Sequence, residues 1–167
     1  MNLKTKIGDI FSIPINDTKK RFMQLVAFDL TQLNSDVVRV FKRNYNINET
    51  PNISDIINDE ILSYAHCATD FGLQLKLWLI FGNSINIGFP SKIMFRGTED
   101  YVRKAGEEPK LKSDKCYVWQ INDNDFKYVG KLSGKYREAF IGLVFNPYDI
   151  IEIAKGNKCP DNYPQFE

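Results

Sequence analysis

The chain reads as an α+β domain: a curved, mainly antiparallel β-sheet, half-barrel-like, with one long helix packed on it and a short C-terminal helix. Three observations predict this class. Apolar residues alternate with period two in several short runs, the spacing of half-buried strands. Residues 53–70 instead repeat their apolar positions at helical spacing. The connections are mostly short and rich in Asn, Asp, Ser and Gly, so neighbouring runs can pair as hairpins. Many strands with few helices make an α+β layer arrangement.

The first element is a hairpin, Ile7–Leu30. Phe11, Ile13 and Ile15 alternate with Ser12 and Pro14. Pro14 has no N–H for a ladder, which places this strand at an edge or at a bulge. Asn16-Asp17-Thr18 supplies the turn. Phe22–Leu30 is apolar on both parities and so reads as a strand near the middle of the sheet, covered on both faces. Val37–Lys42 is β-branched and aromatic, a third strand.

Ile53, Ile56, Ile57, Ile61, Tyr64, Ala65 and Ala68 form the apolar stripe of the long helix, with Asn52 or Ser54 to cap it and Gly72 to end it. Asp55, Asp59, Ser63, His66 and Asp70 fall on its other side. Leu73–Phe81 alternates most regularly of all, with Leu73, Leu75, Leu77, Leu79 and Phe81 on one parity, and predicts a strand. A turn at Gly82-Asn83-Ser84 leads to Ile85–Phe89, and Lys92–Arg96 pairs nearby. Gly97–Asp114 is the least apolar stretch, and Lys104–Lys110 within it mixes charges with Gly and Pro and reads as a mobile surface loop. Residues 116–132 form a second hairpin around Asn122-Asp123-Asn124-Asp125. Ala139–Phe145 is a last buried strand. Asn146-Pro147 then caps and opens a helix to Lys155, closed by Gly156. The tail from Asn157 is irregular.

The 167 residues make one domain, 1–167, long enough to bury a core. A formal net charge of +1 gives no overall field that selects a polyanion or an acidic partner. The first residues are basic but lack an apolar continuation, so no signal peptide is read there. No run reaches the roughly 18–20 apolar residues of a membrane span. Cys67, Cys116 and Cys159 are widely spaced and odd in number, which favours reduced thiols and a cytoplasmic location over a disulfide framework.

No catalytic constellation is legible. His66, the one histidine, has Asp70 at i+4 and reads as an exposed histidine beside an aspartate. Adjacent residues on a helix diverge by about 100°, so His66 and Cys67 make no nucleophile–base pair. No metal spacing is present, Asp123 and Asp125 lack the glycine and closing glutamate of a calcium loop, and no phosphate-binding motif occurs, so neither metal nor cofactor is expected. Lys19-Lys20-Arg21, Arg39/Lys42/Arg43 and Lys110/Lys112/Lys115 are basic clusters, and with Tyr117, Trp78 and Trp119 they support a secondary reading as a nucleic-acid-binding β-rich module.

Two stretches resemble a known family. Lys6-Ile7-Gly8-Asp9-Ile10-Phe11-Ser12-Ile13-Pro14-Ile15 is similar to the opening of bacterial immunity protein 26 proteins, K-x-G-D-[IV]-F-x-I-P-L. Asn146–Gly156 resembles their closing proline-initiated helix, P-x-x-[IV]-x-x-[IV]-x-x-G. One departure is Arg21-Phe22-Met23-Gln24, where the family often has an aromatic-glycine-aromatic stretch. The resemblance implies a non-catalytic cytosolic protein that binds and neutralises a cognate secreted toxin of bacterial competition. It carries no catalytic residues over, and implies neither a small-molecule substrate nor a membrane partner. Many such toxins are basic nucleases, so the acidic residues Asp55, Asp59 and Glu60 are the candidate partner-binding positions.

Overall fold

The computed structural model describes residues 4–101 and 104–165. The predicted hairpin is β1 (Asp9–Pro14) and β2 (Lys19–Asp29), antiparallel, with Phe11 opposite Met23. The Asn16 side chain closes its turn, its Oδ1 accepting from the Thr18 and Lys19 N–H groups at 2.9 and 2.8 Å. β3 (Ser35–Phe41) pairs with β2, and the two-residue β4 (Tyr45–Asn46) pairs with the start of β2.

The long helix at 53–70 does not form. Its place is taken by α1 (Ile53–Ile57), β5 (Ile61–Cys67) and the first residues of α2 (Thr69–Gln74). The predicted strand at 73–81 is also corrected. Leu73 belongs to α2, and the chain turns at Lys76 in the left-handed region, φ 58°. Two backbone bonds fasten that turn, Leu77 N–H to Gly72 O and Lys76 N–H to Leu73 O. This is the Schellman pattern, here with lysine in the usual place of glycine. β6 (Leu79–Asn83) follows and pairs with β1. The chain next crosses to β7 (Met94–Thr98), β8 (Cys116–Gln120) and β9 (Lys127–Gly130), the last two forming the second predicted hairpin. In place of one buried strand at 139–145 there are two short ones, β10 (Phe140–Ile141) and β11 (Val144–Phe145). α3 (Pro147–Lys155) ends the fold as expected: Asn146 Oδ1 accepts from Tyr148 and Asp149 N–H, and Gly156 stops it.

The strands form two open sheets rather than one half-barrel. The first runs β11-β5-β3-β2-β1-β6, with β4 beside β2, and the second β10-β7-β8-β9. Pairing is antiparallel except for β11 with β5 and β10 with β7. β1 is therefore not an edge strand. Its contact with β6 stops at Ser12, so Pro14 lies beyond the ladder that would need its N–H.

Each face of the first sheet is buried differently. Phe11, Ile13, Met23, Leu25, Val38, Val40, Ala65 and Cys67 pack with Leu73 of α2, Trp78, and Ile150, Ile153 and Ala154 of α3. On the opposite face, Ile10, Phe22 and Phe41 are covered by Ile56 of α1 at one end. Val26 and Val37 are covered by Ile93, Phe95 and Trp119 of the second sheet at the other. The segment after Thr98 carries a Lys110–Asp100 ion pair at 2.7 Å and a bond from Gln165 N–H to Leu111 O; residues 102 and 103 lie outside the described residues. No helix among the described residues is long and apolar enough to cross a membrane.

Candidate functional site

The acidic positions Asp55, Asp59 and Glu60 do not share a helix face. Asp55 lies in α1; the other two lie in the turn that leads to β5. That turn uses their carboxylates. Asp59 accepts from the Arg43 and Glu60 N–H groups at 2.6 and 2.8 Å, and Glu60 pairs with Lys42 at 2.7 Å. Asp55 alone of the three has its side chain free of such contacts.

His66 is not exposed, and Asp70 is not its partner. It is on β5, fully buried, with Nε2 at 2.9 Å from Asp29 Oδ2. Trp119 Nε1–H donates to the same oxygen at 3.3 Å, and Asn122 N–H reaches Oδ1 at 3.4 Å. Burial acts to raise the Asp29 pKa, but the bonds from His66, Gln32 N–H and Trp119 outweigh it and hold it below the usual value. Burial lowers the His66 pKa, and Asp29 offsets this only in part. Nε2 is the ring nitrogen turned to the Asp29 carboxylate, and Nδ1 has no partner among the described residues. Cys67 follows on the opposite face of the strand, where burial pushes its thiol far up. The arrangement fastens the second sheet to the first; it offers no accessible base and no thiolate.

Several members of the basic clusters are engaged within the fold. Lys20 Nζ donates to Ile47 O, Arg21 Nη1 donates to Ala154 O, and Lys42 is paired with Glu60. Trp78 and Trp119 are core residues.

The structure places something else where the chain crosses between sheets. Between the end covered by α1 and the end covered by the second sheet, the sheet face carries Gln24 and Arg39, both buried. Gln24 Nε2 donates to Gly8 O at 3.2 Å and Ser84 O at 3.0 Å, and its Oε1 accepts from Arg39 Nε at 2.9 Å. Arg39 Nη2 donates to Asn86 O at 2.8 Å. These bonds lay the segment 84–89 across the sheet. Gly8 makes the approach possible: φ is +95°, and a Cβ there would stand 2.6 Å from Ser84 O.

Beside this segment lies a cleft of about 620 Å³ lined by Arg39, Tyr64, Phe89, Lys92, Lys135 and Phe140, with Glu138 its one carboxylate, and a second of about 320 Å³ that shares Tyr64 and Phe140 with it runs toward α3. Tyr64 faces Arg39 across the β3–β5 register and packs edge-on to Phe140 at 5.1 Å. Lys92 Nζ lies 4.8 Å from the Phe89 ring centroid. Ile85 and Phe89 on the same crossing segment are 96% and 73% exposed, which leaves two large apolar side chains in solvent, Phe89 in the wall of the cleft. Arg39 was legible as a basic residue in a strand. Its juxtaposition with Lys92 and Lys135 depends on the crossing and had no local signal. In comparisons with protein-family models, curated proteins and solved structures, no match is found.

Proposed function

We propose that the chain is an immunity protein that binds a cognate secreted bacterial toxin in the cytosol and neutralises it by occupancy, without catalysing a reaction. The observation that carries this reading is the opening pattern Lys6–Ile15. Its residues have structural duties that fit a family hallmark: Gly8 lets the crossing segment pass, the Asp9 carboxylate holds the Lys6 N–H and Asn83 Nδ2, and Phe11 and Ile13 are core. Partner contact is assigned to two surfaces. Asp55, with the less available Asp59 and Glu60, would meet a basic partner. Ile85 and Phe89 would supply the apolar anchors that dominate a tight interface.

The test is co-expression with the C-terminal domain of any large secreted protein encoded next to this chain. Growth rescue with a stable stoichiometric complex is expected. Phe89→Ala and Asp55→Lys should weaken the complex while the chain stays folded. Rescue failure with no complex removes the reading, and strongly salt-dependent binding to generic DNA or RNA would put the nucleic-acid reading in its place.

A further inference from the structure

Arg39 is a buried cation without an acid. It is 6% exposed, and the groups it meets are neutral: the Gln24 side chain, the Asn86 carbonyl, the Tyr64 hydroxyl and the Phe41 ring. No carboxylate contacts it among the described residues. A guanidinium withdrawn from water is costly unless an anion compensates it, and arginine's planar fork matches a phosphate or carboxylate. Its Nη1 lies beside Gly88, 3.0 Å from where a Cβ on that residue would be, in the wall of the cleft.

The surroundings select the anion. Three cations, Arg39, Lys92 and Lys135, line the cleft against one carboxylate, Glu138. A surplus of two positive charges suits a phosphate monoester, which carries about −1.5 to −2 at neutral pH. The rest of the wall is mostly apolar and includes Phe89, Phe140, Ile93, Met94 and the Tyr64 ring, which suits a flat apolar ring. The volume, about 620 Å³, is that of a site for a small organic molecule. We propose that this cleft is a receptor for a small aromatic phosphate monoester, with the phosphate on Arg39, Lys92 and Lys135 and the ring against Phe89. The cleft shares Phe89 with the proposed toxin surface, but its charged floor of Arg39, Lys92 and Lys135 belongs to this proposal alone, so the lysine variants separate its failure from that of toxin binding.

The experiment is calorimetric titration of the full chain with adenosine monophosphate, phenyl phosphate, inorganic phosphate and adenosine. Both monoesters should bind, inorganic phosphate at least roughly tenfold more weakly, and adenosine not detectably. Tighter binding of adenosine monophosphate than of phenyl phosphate would identify a nucleotide as the ligand; the reverse would identify a simple aryl phosphate. Arg39→Gln should abolish binding. Lys92→Glu and Lys135→Glu lie at exposed positions, leave the core untouched, and should each weaken it by about tenfold or more. Phe89→Ala should bring the monoesters down to the level of inorganic phosphate. The proposal is overturned if neither monoester binds, if binding is undiminished in both lysine variants, or if an oligoglutamate peptide binds more tightly than either monoester, which would assign the cleft to an acidic segment of a partner protein.

Discussion

The two faces of the first sheet come from the same strands and differ in everything else. Under α2 and α3 the face is dry in its packing: Phe11, Ile13, Met23, Leu25, Val38, Val40, Ala65 and Cys67 form one apolar cluster, with Arg21 donating to Ala154 O beside it. One residue along each strand the parity flips, and the other face carries Gln24, Arg39, His66 and, at the end of β2, Asp29, all buried. The dry face gains most of its stability from area and shape. The second face spends hydrogen bonds on fastening particular segments: Asp29 holds the second sheet through His66 and Trp119, and Gln24 and Arg39 hold the crossing segment. A packed apolar face can be entirely covered. A face built on directional bonds leaves an opening where the covers meet, and the cleft beside Arg39 is that opening.

Substitutions on each face should separate these two kinds of stability. The largest effect is expected from Trp78→Ala on the dry side. Trp78 is fully buried, its Nε1–H bonds Thr69 O at 3.0 Å, and its ring lies against Gly72. Urea unfolding should show a loss of about 3–5 kcal/mol. A loss below about 1 kcal/mol would mean that α2 is not integral to that core.

Asp29→Ala comes next. It strands the His66 and Trp119 ring donors in the interior, at a cost of about 3 kcal/mol, and releases the Asn122 N–H to solvent. Its distinguishing sign is local. The near-ultraviolet signal of Trp119 should flatten while far-ultraviolet circular dichroism is retained, because the second sheet loosens before the first unfolds.

Acid should act through the same face. The folded-state pKa of His66 lies below that of the unfolded chain, so the unfolded state binds the proton first. Stability is full above the unfolded value of about 6.5 and falls as pH drops below it, by at most about 1.4 kcal/mol per pH unit, until the folded group also titrates. Asp29, also lowered, adds a loss of the same sign below its ordinary range near 4. His66→Gln keeps a donor toward Asp29 but cannot titrate, so its denaturation midpoints should be flat from about pH 6.5 to 4.5. An unchanged slope in that variant would place the acid sensitivity elsewhere.

The smallest effect belongs to the cover of the dry face. Asn146→Ala removes the cap on the Tyr148 and Asp149 N–H groups and should cost about 1 kcal/mol, with faster hydrogen exchange in the first turn of α3. An equal acceleration in β8 would contradict the separation of the two faces.

The errors of sequence reading fall where the two faces hide each other. β5 buries Ala65 and Cys67 on one side and His66 on the other, so it shows no polar alternation, and its apolar residues joined those of α1 into an apparent helical stripe. Asn58-Asp59-Glu60 was the break, concealed because acidic residues also suit a helix surface. In Leu73–Phe81 the alternation was strong, but Leu73 and Trp78 meet the core from a helix and from the turn after it, and Leu79 is 67% exposed. Of the acidic site, Asp55 was legible as a surface charge; the use of Asp59 and Glu60 inside a turn was not. The cleft was not legible at all, since its cations come from β3, the crossing segment and the stretch before β10.

What the sequence by itself determined is local: the Asn16 turn, the pairing of β1 with β2 and β8 with β9, the two-sided burial of β2, and α3 with its Asn146 cap and Gly156 stop. Each rests on residues a few positions apart, so the chain carries its own instruction. Only the tertiary structure decided that the strands split into two sheets, that His66 finds Asp29 across 37 positions, and that Arg39 is buried in the cleft wall with Lys92 and Lys135, with no carboxylate contact among the described residues. Those outcomes follow from which polar groups the topology leaves facing one another inside a low-dielectric interior, where each must find a partner, and spacing along the chain does not encode that choice.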